Sequence, residues 1–357
     1  MKRGQQAATT TRRTGPWFAA DRKRLALSFA LALLLLVSIA IGIYVAGRGV
    51  EGNAGGEGAL RGDLTGRFKE PRTIVYGDKA YHYRSDLTTV LFLGVDRAGA
   101  ENLAPGSFVG FRNGGPADFL LLMVIDPKKE EIAMIQIDRD TMAEITILGV
   151  LGNPAGTNTM QICLSHGFGD GGEQSALFAV EAVSKHLLGV DIDFFVTMSL
   201  KGVPTLNDML GGVTVTLEDD FTALDPAMQV GETLTLRGKQ AEYFVRNRLE
   251  IGAGTNASRM VRQKQYMAKA GELIDEKLRE NVNFVGSLFD ALSADLTTNM
   301  SRGRMINEAY ASRAYRRLET ISPRGEHRLG EDGFMEFHAD PRALEELVLG
   351  IFFEPAS

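Results

Sequence analysis

The chain has 357 residues, a formal net charge of −6, five scattered histidines and one cysteine, which excludes an intramolecular disulfide and a Cys/His zinc cluster. Seven cationic residues and one carboxylate in the first 24 positions give +6 and leave −12 for everything after them. So acidic a remainder excludes a general nucleic-acid binder, whose affinity rests on neutralising phosphates.

The tail, residues 1–24, carries Lys2, Arg3, Arg12, Arg13, Arg22, Lys23 and Arg24 against Asp21 alone. An uncharged apolar run follows at 25–47. As a helix rising about 1.5 Å per residue, it crosses a hydrocarbon core of roughly 30 Å. A cleaved signal peptide is the competing reading, but its apolar stretch is usually shorter and ends at a small-residue cleavage site, so an uncleaved transmembrane helix is expected. The positive-inside rule then puts the tail in the cytoplasm and the rest of the chain outside the cell membrane. Residues 48–72 form a stalk: their first part is rich in Gly and poor in large apolar side chains, too little to offset the entropy of ordering. Residues 73–357 read as one extracytoplasmic domain without a second linker.

Within that domain, Thr89–Val95, Phe119–Ile125 and Ile132–Ile137 are short apolar runs typical of buried strands. The turn at 126–131 is too short for a parallel crossover, so the second and third runs are expected to form an antiparallel hairpin. If the first is antiparallel to the second, Asp96, Asp118, Asp138, Arg139 and Asp140 emerge at one end of the meander. Later segments read as a helix at 173–188, a strand at 192–200, a helix at 202–210 and a strand at 213–217, with Gly211 and Gly212 stopping the helix. Helices are expected at 238–246, 256–279, 283–293, 302–318 and 340–353. The class is α/β, a mixed β-sheet flanked by helices.

Tyr243–Gln263 holds four arginines and only Glu250 as carboxylate. A cationic focus in an acidic domain invites an anion, and guanidinium forks match phosphate oxygens in bidentate geometry. Arg259, Arg262 and Gln263 share a helix face by spacing. Arg246 and Arg248 share a side only where the chain leaves the helix and becomes extended. A solvated basic face paired with acidic neighbours is the plainer account of the same spacing. Asp96 and Asp118, flanking buried strands, are either turn formers or the one or two carboxylates that Mg²⁺ takes beside substrate oxygens and water. Cys163 and His166 lack an orienting third group and read as a packed loop. Phe194, Phe195, Met198 and Leu200 are core by default, with or without a cavity among them.

The order Leu91-Phe92-Leu93-Gly94-Val95-Asp96-Arg97, Ala117-Asp118, Ile137-Asp138-Arg139-Asp140 resembles the LxxGxD, RxD and IPRD blocks of the LytR-CpsA-Psr (LCP) domain. Blocks at Gly189–Val196, Leu206–Val215, Leu236–Ala241, Tyr243–Arg248 and Arg259–Gln263 continue it in the same order over about 88–280. The resemblance implies a membrane-bound phosphotransferase that moves a glycopolymer, such as teichoic acid or capsule, from an undecaprenyl-pyrophosphate carrier to a peptidoglycan hydroxyl. It implies an internal apolar pocket for the polyprenyl chain, a Mg²⁺ ion on Asp96 and Asp118, and a pyrophosphate clamp of Arg97, Arg139, Arg246, Arg248, Arg259, Arg262 and Gln263. Arg97, Arg139 and Asp140 are the catalytic candidates, with Asp140 or Asp138 as base. The sequence departs from the family at Pro116 (usually Arg), Asp138 (usually Pro), Gln161 (usually Lys) and Asn256 (usually acidic). These departures motivate an alternative: a degenerate member that binds polyprenyl-phosphate lipid or cell-wall glycan without transfer.

Overall fold

The computed structural model describes residues 72–96, 114–149, 153–248 and 251–356. The segment 25–47, the stalk through residue 71 and Arg97 lie outside the described residues, among which no helix is long and apolar enough to cross a membrane. The chain runs through β1 (Thr73–Tyr76), β2 (Lys79–Tyr83), β3 (Thr88–Val95), β4 (Ala117–Asp126), β5 (Glu131–Ile137), β6 (Met142–Leu148) and β7 (Pro154–Gln161). Next come α1 (Leu164–Gly167), α2 (Glu173–His186), β8 (Phe194–Ser199), α3 (Gly202–Met209), β9 (Thr214–Thr216), β10 (Thr233–Thr235), α4 (Lys239–Arg246), α5 (Asn256–Glu280) and α6 (Phe284–Leu292). It closes with β11 (Leu296–Thr298), α7 (Arg302–Ser312), β12 (Arg316–Arg317), β13 (Gly325–Leu329), β14 (Met335–Ala339), α8 (Pro341–Phe352) and β15 (Phe353–Pro355).

The central sheet has the order β11-β8-β3-β4-β5-β12. β4 runs antiparallel to β5, as the short turn at 126–131 demands, and antiparallel to β3 as well, the pairing that the long first connection left open, while β8 is parallel to β3 and β12 to β5. Both faces are covered. Val90, Phe92, Leu121, Met123, Ile132 and Met134 point into a core shared with α3 to α7. Leu91, Leu93, Leu120, Leu122, Ile135 and Ile137 point the other way, into a core shared with α2 and α8. A strand buried on both sides has no polar alternation, which is why these runs are continuously apolar.

Two segments depart from expectation. The helix expected over 302–318 stops at Ser312, because Arg316 N–H donates to Glu130 O (2.7 Å) and Leu318 N–H to Ile132 O (2.9 Å), adding β12 to the open edge of β5. The strand at 213–217 does form, but in a separate ribbon with β10 rather than in the main sheet. Three further pairings, β1 with β2, β6 with β7 and β13 with β14, each join one mostly exposed strand, β1, β7 or β13, to a more buried partner.

Candidate functional site

The antiparallel meander brings the end of β3, the start of β4 and the end of β5 to one edge, so Asp96, Asp118, Asp138, Arg139 and Asp140 do converge. A bulge sharpens the arrangement: Gly94 is opposite Phe119 and Val95 opposite Ala117, leaving Asp118 without a ladder partner. Bulges of this kind re-aim a side chain. Gly94 permits the close approach, since a Cβ there would lie 3.0 Å from Phe119 Cβ.

The arginines arrive from the helical layer. α4 ends at Arg246, and Asn247 is extended (φ −69°, ψ 136°), so the chain leaves the helix where the Arg-x-Arg pair requires it. α5 starts at the other side, with Thr255 Oγ1 accepting from Ser258 N–H as its N-cap. Arg246 donates to Asp96 and to Glu242 Oε1 (2.9 Å). Arg139 donates through Nη1 to Asp118 and through Nε to Asp140 Oδ1 (3.2 Å). Arg259, only 3 % exposed, reaches Asp118 Oδ2 at 3.8 Å and donates to Asn256 Oδ1 at 2.7 Å, while its Nε has no hydrogen-bond partner among the described residues.

Burial lowers the pKa of Arg259; Asp118 opposes that, and Arg139 and Arg248 reinforce it by like-charge repulsion. The Asp140 carboxyl moves up, first by burial and then by Asp138, with Arg139 offsetting part of the shift. Arg139, Arg248 and Arg259 therefore crowd one region, in which Arg259 has only a 3.8 Å contact to a carboxylate that Arg139 already holds, the condition in which an added anion is favoured.

Not every expected clamp residue faces that region. Arg262 donates to Phe244 O (2.7 Å) and Asn247 O (2.5 Å) and pairs with Asp219 at 3.3 Å, so it holds the α4 C-terminus beneath the Arg-x-Arg segment. Gln263 Nε2 donates to Val245 O (3.2 Å) beside it. Gln161 donates to Met335 O (2.8 Å) on an exposed face. Of the two candidate bases, Asp138 already accepts from Asp140 N–H (2.9 Å), Asn256 Nδ2 (2.8 Å) and His327 Nε2 (3.0 Å). Neither the His327 contact nor Asp219 had any signature in the sequence, since each depends on a distant segment folding back.

Among the described residues no cluster of three His, Cys, Asp or Glu side chains is placed to hold a metal. Asp96 and Asp118 nevertheless end adjacent strands and both turn toward the α4–α5 layer, where they meet Arg246 and Arg259. Two hard oxygen donors suit Mg²⁺ when phosphate oxygens and water complete its shell. The same edge adjoins an apolar cavity of about 90 Å³, lined by Gly94, Phe119, Met198, Leu200, Gln263 and Met267 among others. Phe195 packs instead in the opposite core.

Known proteins share this architecture. A polyisoprenyl-teichoic acid–peptidoglycan teichoic acid transferase TagU of Bacillus mycoides is 24% identical over 268 residues, 74% of this chain and 77% of that protein. The crystal structure of TagV from B. subtilis superposes with a TM-score of 0.56 at 22% identity, covering 74% of this chain and 95% of that one. A structure of TagT bound to LI-WTA gives 0.54 at 20% identity, covering 75% and 90%. The profile of the LytR_cpsA_psr family matches residues 69–348, so the sheet, the strand-end aspartates and the arginine layer all lie within the match, and the chain belongs to that family.

Proposed function

We propose that the chain transfers a phosphate-linked glycopolymer from a polyprenyl-pyrophosphate carrier to a peptidoglycan hydroxyl, on the outer face of a membrane that residues 25–47 span with the N-terminus cytoplasmic. The observation that carries this reading is Arg259, a buried guanidinium with an unpartnered Nε, repelled by two other arginines, on the helix whose next turns line an apolar cavity through Gln263, Tyr266 and Met267. A buried donor without a partner costs about 1–3 kcal/mol, which a diphosphate oxygen would relieve. The prenyl tail accounts for the cavity. At about 90 Å³ it takes only the start of such a tail, but Met198 and Met267 in its wall are unbranched and repack readily. The named activity of the TagU relative agrees with this substrate class.

In this reading the acceptor hydroxyl oxygen attacks the glycan-bearing phosphorus, its proton passes to Asp140, and the polyprenyl phosphate leaves with the bonding electrons. Asp140 suits the role because burial raises its pKa toward the working range of a general base, and Asp138 is already saturated with donors. Arg139, Arg248 and Arg259 are preorganised cations that hold the diphosphate and oppose the charge that develops on the leaving group. Mg²⁺ held by Asp96 and Asp118 would add charge stabilisation at the phosphoryl oxygens.

The test is titration with a short-chain polyprenyl pyrophosphate at fixed salt. Arg248→Lys or Arg259→Lys keeps the charge and removes the planar fork, so each should weaken binding by about 1–3 kcal/mol. Unchanged affinity in both would make these ordinary charges and remove the main support for the transferase.

A further inference from the structure

Arg259 has one firm hydrogen bond to a side chain, from Nη2 to Asn256 Oδ1 at 2.7 Å. That amide is itself fixed, because Asn256 Nδ2 donates to Asp138 Oδ1 at 2.8 Å. Asn256 and Asp138 are each only 6 % exposed, so neither can exchange its partner for bulk water. The other carboxylate oxygen, Asp138 Oδ2, faces His327 Nε2 at 3.0 Å. An ionised carboxylate only accepts, so Nε2 is the protonated nitrogen of His327. The four side chains form one directed series, in which Arg259 donates to Asn256, Asn256 to Asp138, and His327 closes the far end on the same carboxylate.

His327 is brought there by β13 of the β13–β14 hairpin, which docks on the end of β5. Phe337 N–H donates to Asp140 O at 2.7 Å, and the His327 ring lies 4.9 Å from that of Phe337. The flanking Glu326 and Arg328 pair with each other at 3.0 Å, on the opposite side of the strand from His327. From β5 the charged neighbour is Asp138, and from α5 it is Arg259, reached through Asn256.

We infer that His327 is a positioning residue for the diphosphate site, acting through Asp138 and Asn256 to hold the Arg259 guanidinium in its ligand-ready orientation. The inference rests on reading Arg259 as a diphosphate ligand. Without the His327 donor, Asp138 Oδ2 loses its partner and the carboxylate is held only through Oδ1, where the Asp140 N–H still donates at 2.9 Å. The carboxylate can then pivot about that one bond, the Asn256 amide has a less fixed acceptor and can flip, and Arg259 then meets an amide N–H₂ instead of a carbonyl oxygen. The loss is one hydrogen bond removed from the ligand, so the effect on affinity is modest.

The experiment compares the full-length, detergent-solubilised wild type with His327→Phe, which keeps a ring against Phe337 but has no donor, and His327→Gln, which keeps an N–H donor without the ring. Titration with geranylgeranyl pyrophosphate should show affinity falling about three- to tenfold in His327→Phe and largely restored in His327→Gln, the size of one hydrogen bond. In the ligand-free protein, the Arg259 Nε–H resonance, assigned by its disappearance in Arg259→Lys, should shift in His327→Phe and return in His327→Gln. Equal behaviour of the two variants, whether both like wild type or both impaired, overturns the inference and leaves only ring packing or no role. If the wild type fails to bind the diphosphate, the proposed function falls, and the Arg259 resonance alone still decides whether His327 orients that side chain.

Discussion

The two ends of the β3–β4–β5 meander hold the same residue types, but the most buried arginine at each end is in the opposite electrostatic state. At the hairpin end, Arg84 forms a two-pronged pair with Asp126, one prong at 2.7 Å, and also donates to Asp86 at 2.7 Å. Burial pushes Asp126 up, but Arg84 and the Lys129 N–H more than offset this and hold the carboxyl at about 2. The hydrogen bonds that Arg84 donates to Asp126 likewise raise the pKa of Arg84. At the other end Arg259 is just as buried, yet its pKa is lowered, and that of Asp140 is raised. One end has its charges matched one to one and serves the fold. The other leaves cations facing one another around Asp118, a state that a folded protein keeps when a ligand completes it.

The largest effect that would test this contrast is at the matched end. Arg84→Ala leaves the Asp126 carboxylate buried without its guanidinium, so unfolding free energy should fall by about 3–5 kcal/mol, with diphosphate affinity unchanged. Denaturant unfolding measures the first and titration the second; a loss of binding in a variant that still folds would erase the distinction between the two ends. A smaller effect is expected with pH. Because the folded-state pKa of Asp126 is depressed to about 2, the pair contributes fully above the unfolded value near 4, and the contribution disappears as pH falls through 2. The stability lost across that window should be about 2 kcal/mol, and Asp126→Asn should remove that part of the acid dependence.

How much of this was legible in advance follows from burial. β3, β4 and β5 are covered on both faces and so appear as continuous apolar runs, and the short turn at 126–131 forced the antiparallel order of β4 and β5. The direction of β3, on which the convergence of the aspartates depends, was left open by its long connection and is settled only by the observed pairing with β4. The arginine layer was legible as a cationic focus in an acidic domain, and the extended Asn247 meets the one condition under which Arg246 and Arg248 share a side. The hairpins β1–β2, β6–β7 and β13–β14 were not legible, because one strand of each, β1, β7 or β13, is mostly exposed and carries little hydrophobic pattern. His327 was invisible for the same reason: its contact with Asp138 spans 189 positions and depends on one of those hairpins docking. Spacing put Arg262 on the face of Arg259, but spacing says nothing of χ angles, and its guanidinium turns to the carbonyls ending α4.

The smallest expected effect is the one that separates the two ends most sharply. Arg84 and Arg259 are both 3 % exposed, so an account based on burial alone predicts similar penalties for removing either charge. Charge balance predicts otherwise. Arg259→Met discards one hydrogen bond to Asn256 and a 3.8 Å attraction to Asp118, which keeps Arg139 as its partner. It also removes a buried cation, its unpartnered Nε and the repulsion from Arg139 and Arg248. These opposing contributions are each about 1–3 kcal/mol, so the net change in unfolding free energy should stay within about 1 kcal/mol, while diphosphate affinity falls at least as far as in Arg259→Lys. Parallel denaturation curves of Arg84→Met and Arg259→Met decide the matter. A loss of 3 kcal/mol or more at Arg259 would mean that its charge is satisfied by the fold, and the crowding around Asp118 would then give no reason to expect an anion there.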